Sequence, residues 1–218
     1  MIDVVVGFDQ REAVAYHTFC QSVIDSTTQP VRFTPLVNHG IEKKGGSNDF
    51  IYSRFLVPYL MGYRGWAIFA DGDMVCREDI ARLWEMRDDK YAVRVAQHDY
   101  QTKYTRKYLG NKNENYPRKN WSSLILWNCA HIANRCLDKQ TIDSVDGSFL
   151  HRFGWLNDSE IGELPLTWNW LAMEYSGNDG AELIHYTIGT PCFATYQNCD
   201  MAEYWWRSYK RMNQGVDD

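Results

Sequence analysis

The sequence predicts an α/β fold, a mostly parallel mixed sheet flanked by helices. Three observations carry that expectation. β-Branched, apolar runs alternate with segments of helical period over the first 70 residues, the pattern of strands joined through crossover helices. The run DVVVGFD (3–9) ends in Gly and Asp, and WAIFA (66–70) ends in Asp71-Gly72-Asp73, so two strands stop on small, acidic steps. The chain of 218 residues is 44% hydrophobic and 23% charged without internal repeats, enough for one substantial core over residues 1–218.

Each element follows in order. DVVVGFD reads as a strand buried on both faces, and REAVAYHTFCQSVIDS (11–26) as a helix ending before a Thr-Thr-Gln-Pro breaker. VRFTPLV (31–37) is a second strand, EKKGGSND (42–49) a glycine-rich turn, and FIYSRFLVPYLMGY (50–63) a helix that Pro58 bends or starts. Beyond WAIFA, IARLWEM (80–86) is helical and YAVRVAQ (91–97) a strand. Residues 100–119 turn polar, basic and Tyr-rich without a period, which marks an active-site loop or lid between Gly110 and Pro117. WSSLILWN (121–128) is strand-like, 140–153 partly helical, and 164–171 and 181–187 short strands or extended segments.

Bulk chemistry narrows the function. A net charge of -5 argues against a dedicated nucleic-acid binder, which needs a basic footprint. No apolar stretch has the length of a membrane span, and MIDVVVGFDQ lacks the features of a signal peptide, so the expectation is a cytoplasmic protein. Its six cysteines form no close pair and read as reduced thiols; the two Asn-X-Ser sequons read as chance. YWWRSYKR (204–211) combines aromatics and cations, as a weak, peripheral membrane contact does; a terminal helix docked through Trp205 or Trp206 explains it equally simply.

Asp71 and Asp73 are the sharpest local signal. In open α/β sheets ligands bind beyond the carboxyl ends of strands, and WAIFA ends there. Two carboxylates on a turn kept slim by Gly72 suit one hard cation, Mn²⁺ or Mg²⁺, which bridges the phosphates of a nucleoside diphosphate. A solvated turn explains Asp-Gly-Asp as well. His185, delivered by the apolar segment LIHYTIGTP, is able to complete the coordination.

The ordered segments YSRFLVPYL (52–60), WAIFADGDMVC (66–76), KNWSSLILWN (119–128), LNDSEIGELPLTWNWL (156–171) and IHYTIGTP (184–191) together resemble the nucleotide-sugar glycosyltransferases of the GT-A fold, most closely family 8. The resemblance covers nearly the whole chain and implies a Rossmann-like GT-A domain. It implies Asp71, Asp73 and His185 as metal ligands. It places Gly7, Phe8 and Asp9 at the nucleotide base and Arg54 near the diphosphate and the first aspartate, with Gly72 and Gly189 also in the nucleotide site. Asn120, Ser122, Ser123, Trp168 and Asn169 would line the sugar and acceptor pocket, with Asp158 and Glu160 as the first and second candidates for a catalytic carboxylate. The chain departs from the family where Thr190-Pro191-Cys192 replaces the usual Lys-Pro-Trp, so the diphosphate-clamping lysine is missing and Lys103, Arg106 or Lys107 is left to supply its charge.

The implied reaction is metal-dependent transfer of a hexosyl group from a UDP-linked donor to a hydroxyl of a carbohydrate or glycoconjugate, with retention of configuration. An inverting enzyme would instead use Asp158 as general base. One of Trp121, Trp127, Trp168 and Trp170 is expected against a sugar face. Two other classes fit less of the chain: a non-catalytic nucleotide-sugar or glycan-binding module, and a phosphatase built on IFADGDMV, for which the later lysine and acidic pair are missing.

Overall fold

The computed structural model describes residues 1–38, 40–42, 48, 50–177 and 180–214. Most of the turn read over 42–49 lies outside the described residues.

β1 (Ile2–Gly7) leads through a 3₁₀ turn, capped by the Asp9 carboxylate on Arg11 N–H, into α1 (Ala13–Ser26). After β2 (Val31–Leu36), the helical period of 50–63 resolves into a 3₁₀ turn over Ser53–Leu56 and the single-turn α2 (Val57–Leu60), closed by Gly62 at φ 61°. Pro58 sits in the first turn of α2, where its missing N–H costs nothing. β3 (Trp66–Ala70), β4 (Met74–Cys76), α3 (Ile80–Glu85) and β5 (Val93–Ala96) follow.

Asn120, left-handed at φ 63°, turns the chain so that Trp121–Ser123 form a 3₁₀ turn before β6 (Leu124–Asn128). α4 (Lys139–Ser144) and α5 (Gly147–His151) are short helices capped by Asp138 and Asp146. β7 (Ile161–Leu164), a 3₁₀ turn at Leu166–Asn169, β8 (Trp170–Leu171), β9 (Leu183–His185) and α6 (Ala202–Met212) complete the described chain.

Six strands form one sheet in the order β2-β1-β3-β6-β5-β7. β6 alone runs against its neighbours, pairing antiparallel with β3 and β5, while the other contacts are parallel. Alternation puts Val4, Val6, Ile68 and Leu126 on the face covered by Phe19 and Val23 of α1, and Val5, Phe69 and Trp127 on the other, against Phe55 and Phe153. A second sheet, β4-β9-β8, pairs Met74 with His185 in antiparallel register. α6 seals that sheet by burying Trp205 against Val75 and Ile184; the docked terminal helix thus accounts for the aromatic half of YWWRSYKR. No helix among the described residues is long and apolar enough to cross a membrane.

Between the two sheets the Asp-Gly-Asp step passes so close to β1 that a Cβ on Gly72 would stand 2.6 Å from the Gly7 carbonyl oxygen and 3.6 Å from Tyr16 Cα. The slimness of this turn is a packing requirement between backbones, which have little room to give. Gly72→Ala is expected to destabilise the fold by about 1–3 kcal/mol, the range for overpacking. A thermal melt equal to wild type would contradict this close approach.

Candidate active site

The backbone holds the acidic step from two sides. Asp71 N–H donates to the Ser123 carbonyl at the start of β6 (2.9 Å), and Tyr186 N–H donates to the Asp73 carbonyl just past β9 (2.9 Å). Asp71 is further fixed by Arg54, which is almost wholly buried. Its Nη1 lies 3.0 Å from Asp71 Oδ1 and donates to the Ser122 carbonyl, its Nε donates to the Ile51 carbonyl, and its plane rests on Phe50 and Phe69.

His185 is oriented by a relay of side chains. Asn169 Nδ2 donates to the Asn120 carbonyl (3.3 Å) and to Ser123 Oγ (2.9 Å). A carbonyl only accepts, so the network assigns the amide nitrogen to that side and turns Asn169 Oδ1 toward His185 Nδ1, 3.0 Å away. Nδ1 therefore carries the proton in the neutral ring. In that tautomer Nε2 is unprotonated where it faces Asp73 Oδ1 at 3.3 Å, and Asp73 Oδ1 receives no hydrogen bond. Acceptors facing one another in a buried site need a proton or a cation between them.

One ligand atom each from Asp71, Asp73 and His185 lies within 4.8 Å of the others, close to the span of two metal–ligand bonds of about 2.2 Å each. Two carboxylate oxygens and one imidazole also match the donor preference of a hard or borderline divalent ion. The residues present fit a divalent cation.

Burial pushes the Asp71 carboxyl up to about 6, with Asp73 adding to the rise and Arg54 opposing it. Burial acts upward on Asp73 too, but His185, when its ring is protonated in place of a bound cation, and Lys107 outweigh it and hold that carboxyl below its usual range. Burial and then Asp73 drive the Glu12 carboxyl to about 8, where it accepts hydrogen bonds from Tyr108 and Thr190. The Lys107 ammonium is lowered by burial, against the pull of Asp73 and Asp71.

A cavity of about 210 Å³ opens over this cluster, and Arg54, Lys107, Asn120, Ser122, Ser123 and His151 line it with the three candidate ligands. Of the basic loop residues only Lys107 reaches it; the Arg106 guanidinium turns to the Gly110 carbonyl and Lys103 is exposed. The segment carrying Lys107 is pinned by Tyr108, whose N–H donates to the Ile188 carbonyl (2.8 Å) and whose ring stacks on Phe193.

Several expected site residues lie elsewhere. The Asp158 side chain is 87% exposed in an ion pair with Arg118, and Glu160 is spent capping its own turn at Asn157; neither reaches the cavity, because the 3₁₀ turn over Asp158–Glu160 points them to solvent. Trp168 is fully buried in the core beneath the sheet and Trp127 in that above it, and neither they nor Trp121 or Trp170 line the cavity; its aromatic walls are Tyr108 and Tyr116. Asn169 stands behind His185 rather than against a sugar.

Gly189 lies under the Tyr196 ring, which would clash with a Cβ, so its smallness serves packing. Phe8 packs edge-on against Tyr16, and the Asp9 carboxylate holds Arg11. Gly7, Asp9 and Gly72 do line a crevice beside Asp73, but it offers only about 10 Å³ because Phe50 packs onto Gly7 and Tyr108 closes its side. Glu12, Tyr108, Tyr116 and His151 were not legible as site residues; nothing in their local sequence separates them from ordinary helix and loop residues.

With the geometry in hand, its relatives are informative. Protein CDI of Arabidopsis thaliana is 39% identical over 225 residues, covering 97% of this chain and 87% of that protein. The chain belongs to the Protein CDI family. No protein-family profile matches the sequence. Among solved structures, the bifunctional glycosyltransferase WbbM superposes with a TM-score of 0.68 at 12% identity over 99% of this chain. GlyE of Streptococcus pneumoniae gives 0.67 at 12% identity over the whole chain. The galactosyltransferase LgtC gives 0.58 at 12% identity, covering 96% of both chains. This CDI-family chain spans 50% of the WbbM structure and 64% of GlyE. The shared architecture is the GT-A glycosyltransferase fold.

His151 gives a pH signature. Its Nδ1 is 2.8 Å from Ser122 Oγ, and burial, with Arg54 and Lys107 adding, lowers it from 6.5 to about 3. Between those values only the unfolded chain takes the proton, so stability falls as pH falls through that window, by up to about 1.4 kcal/mol per pH unit. His151→Gln is expected to flatten the decline in melting temperature between about pH 7 and about pH 4.5. Parallel curves for mutant and wild type would contradict a neutral, buried His151.

Proposed function

We propose that the chain is a glycosyltransferase of family 8 type, moving a hexosyl group from a UDP-linked donor to a carbohydrate hydroxyl with retention of configuration. The observation that carries this reading is the bare His185 Nε2 set against Asp73 at the carboxyl end of β3, within a GT-A fold. The LgtC structure of the same fold holds donor and acceptor sugar analogs.

Mn²⁺ or Mg²⁺, held by Asp71, Asp73 and His185, would supply Lewis-acid stabilisation of charge on the departing phosphate. The chain's residues do the rest. Arg54 keeps Asp71 ionised and in place. Lys107, half-buried and without an ion pair among the described residues, takes the place of the lysine missing after Gly189 and clamps the diphosphate from the loop 100–119. That loop then acts as a lid. Asn120, Ser122 and Ser123 offer hydrogen bonds to the sugar. Donor entry displaces Phe50 from the crevice beside Gly7.

Retention is favoured by the lining itself. Among the described residues around the cavity the carboxylates are those of the cation site, and His151, held near 3, is a poor general base. The acceptor proton therefore goes to the leaving phosphate on the same face.

Calorimetry with UDP tests the reading: binding should be at least about tenfold tighter with Mn²⁺ than with chelator, and Asp73→Asn should erase the difference. Equal affinity in both conditions would overturn the cation bridge. Lys107→Met should weaken UDP–Mn²⁺ binding about tenfold, as loss of a charge-assisted contact does, while unchanged affinity would remove Lys107 from the clamp. NMR of the first-formed linkage should show the donor's anomeric configuration.

A further inference from the structure

The loop 100–119 contains a hairpin built on a buried relay of side chains. Asn113 N–H donates to the Thr105 carbonyl and Lys107 N–H to the Asn111 carbonyl (2.9 Å each), with Arg106 bridged antiparallel to Lys112 between them. Leu109 and Gly110, both left-handed, turn the tip. Lys107 and Tyr108 therefore reach the cation site from one arm of a folded unit, and what fixes the base of that unit fixes them.

The base is held by two charged groups hidden from water, Glu174 at 4% exposure and Lys119 at 8%. Lys119 Nζ donates to Asn113 Oδ1 (2.7 Å) and to the Glu114 carbonyl (2.9 Å). An ammonium only donates, and the Tyr104 carbonyl facing Asn113 Nδ2 only accepts, so the Asn113 amide has one orientation. Its Nδ2 also donates to Thr102 Oγ1 (2.8 Å). The Thr102 proton then goes to the Glu174 carboxylate, which stands nearer than the Tyr104 carbonyl at 3.3 Å. The second oxygen of Glu174 accepts from Lys103 N–H (3.1 Å). Hydrogen bonds thus run in one direction from Lys119 through Asn113 and Thr102 to Glu174. Burial lowers the Lys119 ammonium to about 8, with Lys107 adding and Glu174 opposing. Buried charges are costly unless their hydrogen bonds are met, and a connected network specifies one arrangement.

The anchor is shared with the cation site. Glu174 closes the turn after β8, its N–H donating to the Leu171 carbonyl (3.2 Å), and Leu171 pairs with His185. The same three-stranded sheet sets the imidazole of the cluster and, through Glu174, the hairpin that carries Lys107. We propose that Glu174 and Lys119 are positioning residues that hold the lid, through Thr102 and Asn113, where it presents Lys107 to a bound nucleoside diphosphate. The proposal rests on the donor-binding reading given above; neither residue lines the cavity itself.

Calorimetry of the full chain with UDP and Mn²⁺ provides the test, on Glu174→Gln alone and combined with Lys107→Met. Gln keeps the shape but offers one acceptor oxygen where two donors arrive. Loss of a buried negative charge by itself would draw an anionic ligand in, so charge and positioning act with opposite signs. Positioning predicts binding weaker by about fivefold for Glu174→Gln, and no further loss when Lys107 is already Met. Thr102→Val, which cuts the relay without removing a charge, should behave alike. Tighter or unchanged binding, or a loss of equal size in both backgrounds, would overturn the proposal. Hydrogen exchange separates a failed relay from a failed donor reading. In Glu174→Gln the Lys107 and Asn113 amides should exchange about tenfold faster, while the Tyr186 amide keeps its rate. Wild type that binds no UDP would sink the donor reading and with it the diphosphate role of Lys107, although faster exchange would still support the relay. Unchanged exchange would overturn the relay whatever binds.

Discussion

The antiparallel pairing of β4 with β9 is the constraint on which the site depends. It sets His185 opposite Met74, one residue beyond Asp73, and so presents an imidazole to a carboxylate that arrives from the other sheet. Register alone would leave the ring free to choose its tautomer. Asn169 removes the choice, because its amide nitrogen is committed to the Asn120 carbonyl and Ser123 Oγ. The result is two acceptor atoms facing each other in a buried space, an arrangement that favours a cation over an empty site.

The surrounding charges follow from that commitment. Burial raises Asp71 and Glu12 and lowers Lys107, while Arg54 and His185 oppose the rise at Asp71. Desolvation of this kind is costly to the fold and is typical of sites that bind ions. The close packing of Gly72 on Gly7, and of Phe50 on Gly7, confines the space beside Asp73 to a narrow crevice.

The sheet was legible because its central strands are long and apolar on both faces: β1, β3 and β6 announce themselves through Val4–Val6, Ile68–Ala70 and Leu124–Trp127. β4 and β7 were not, and the two-residue β8 is the end of the extended segment read over 164–171. Strands this short carry no period, and only pairing with β9 or β5 defines them. Asp71, Asp73 and His185 stood out as acidic and imidazole groups at the ends of apolar runs, and the structure gathers them. Asp158 and Trp168 misled for opposite reasons. A 3₁₀ turn carries the first into solvent, and the second fills the core beneath β9. His151 and Glu12 owe their character to burial by distant segments, which a local reading has no means to register.

The central claim is that His185 Nε2 and Asp73 share a bound divalent cation. Electron spin echo spectroscopy of Mn²⁺ added to the protein tests it directly. The account predicts modulation from a coordinated imidazole nitrogen, lost in His185→Gln while the variant still folds. Mn²⁺ bound without nitrogen modulation, or modulation that survives that substitution, would contradict it.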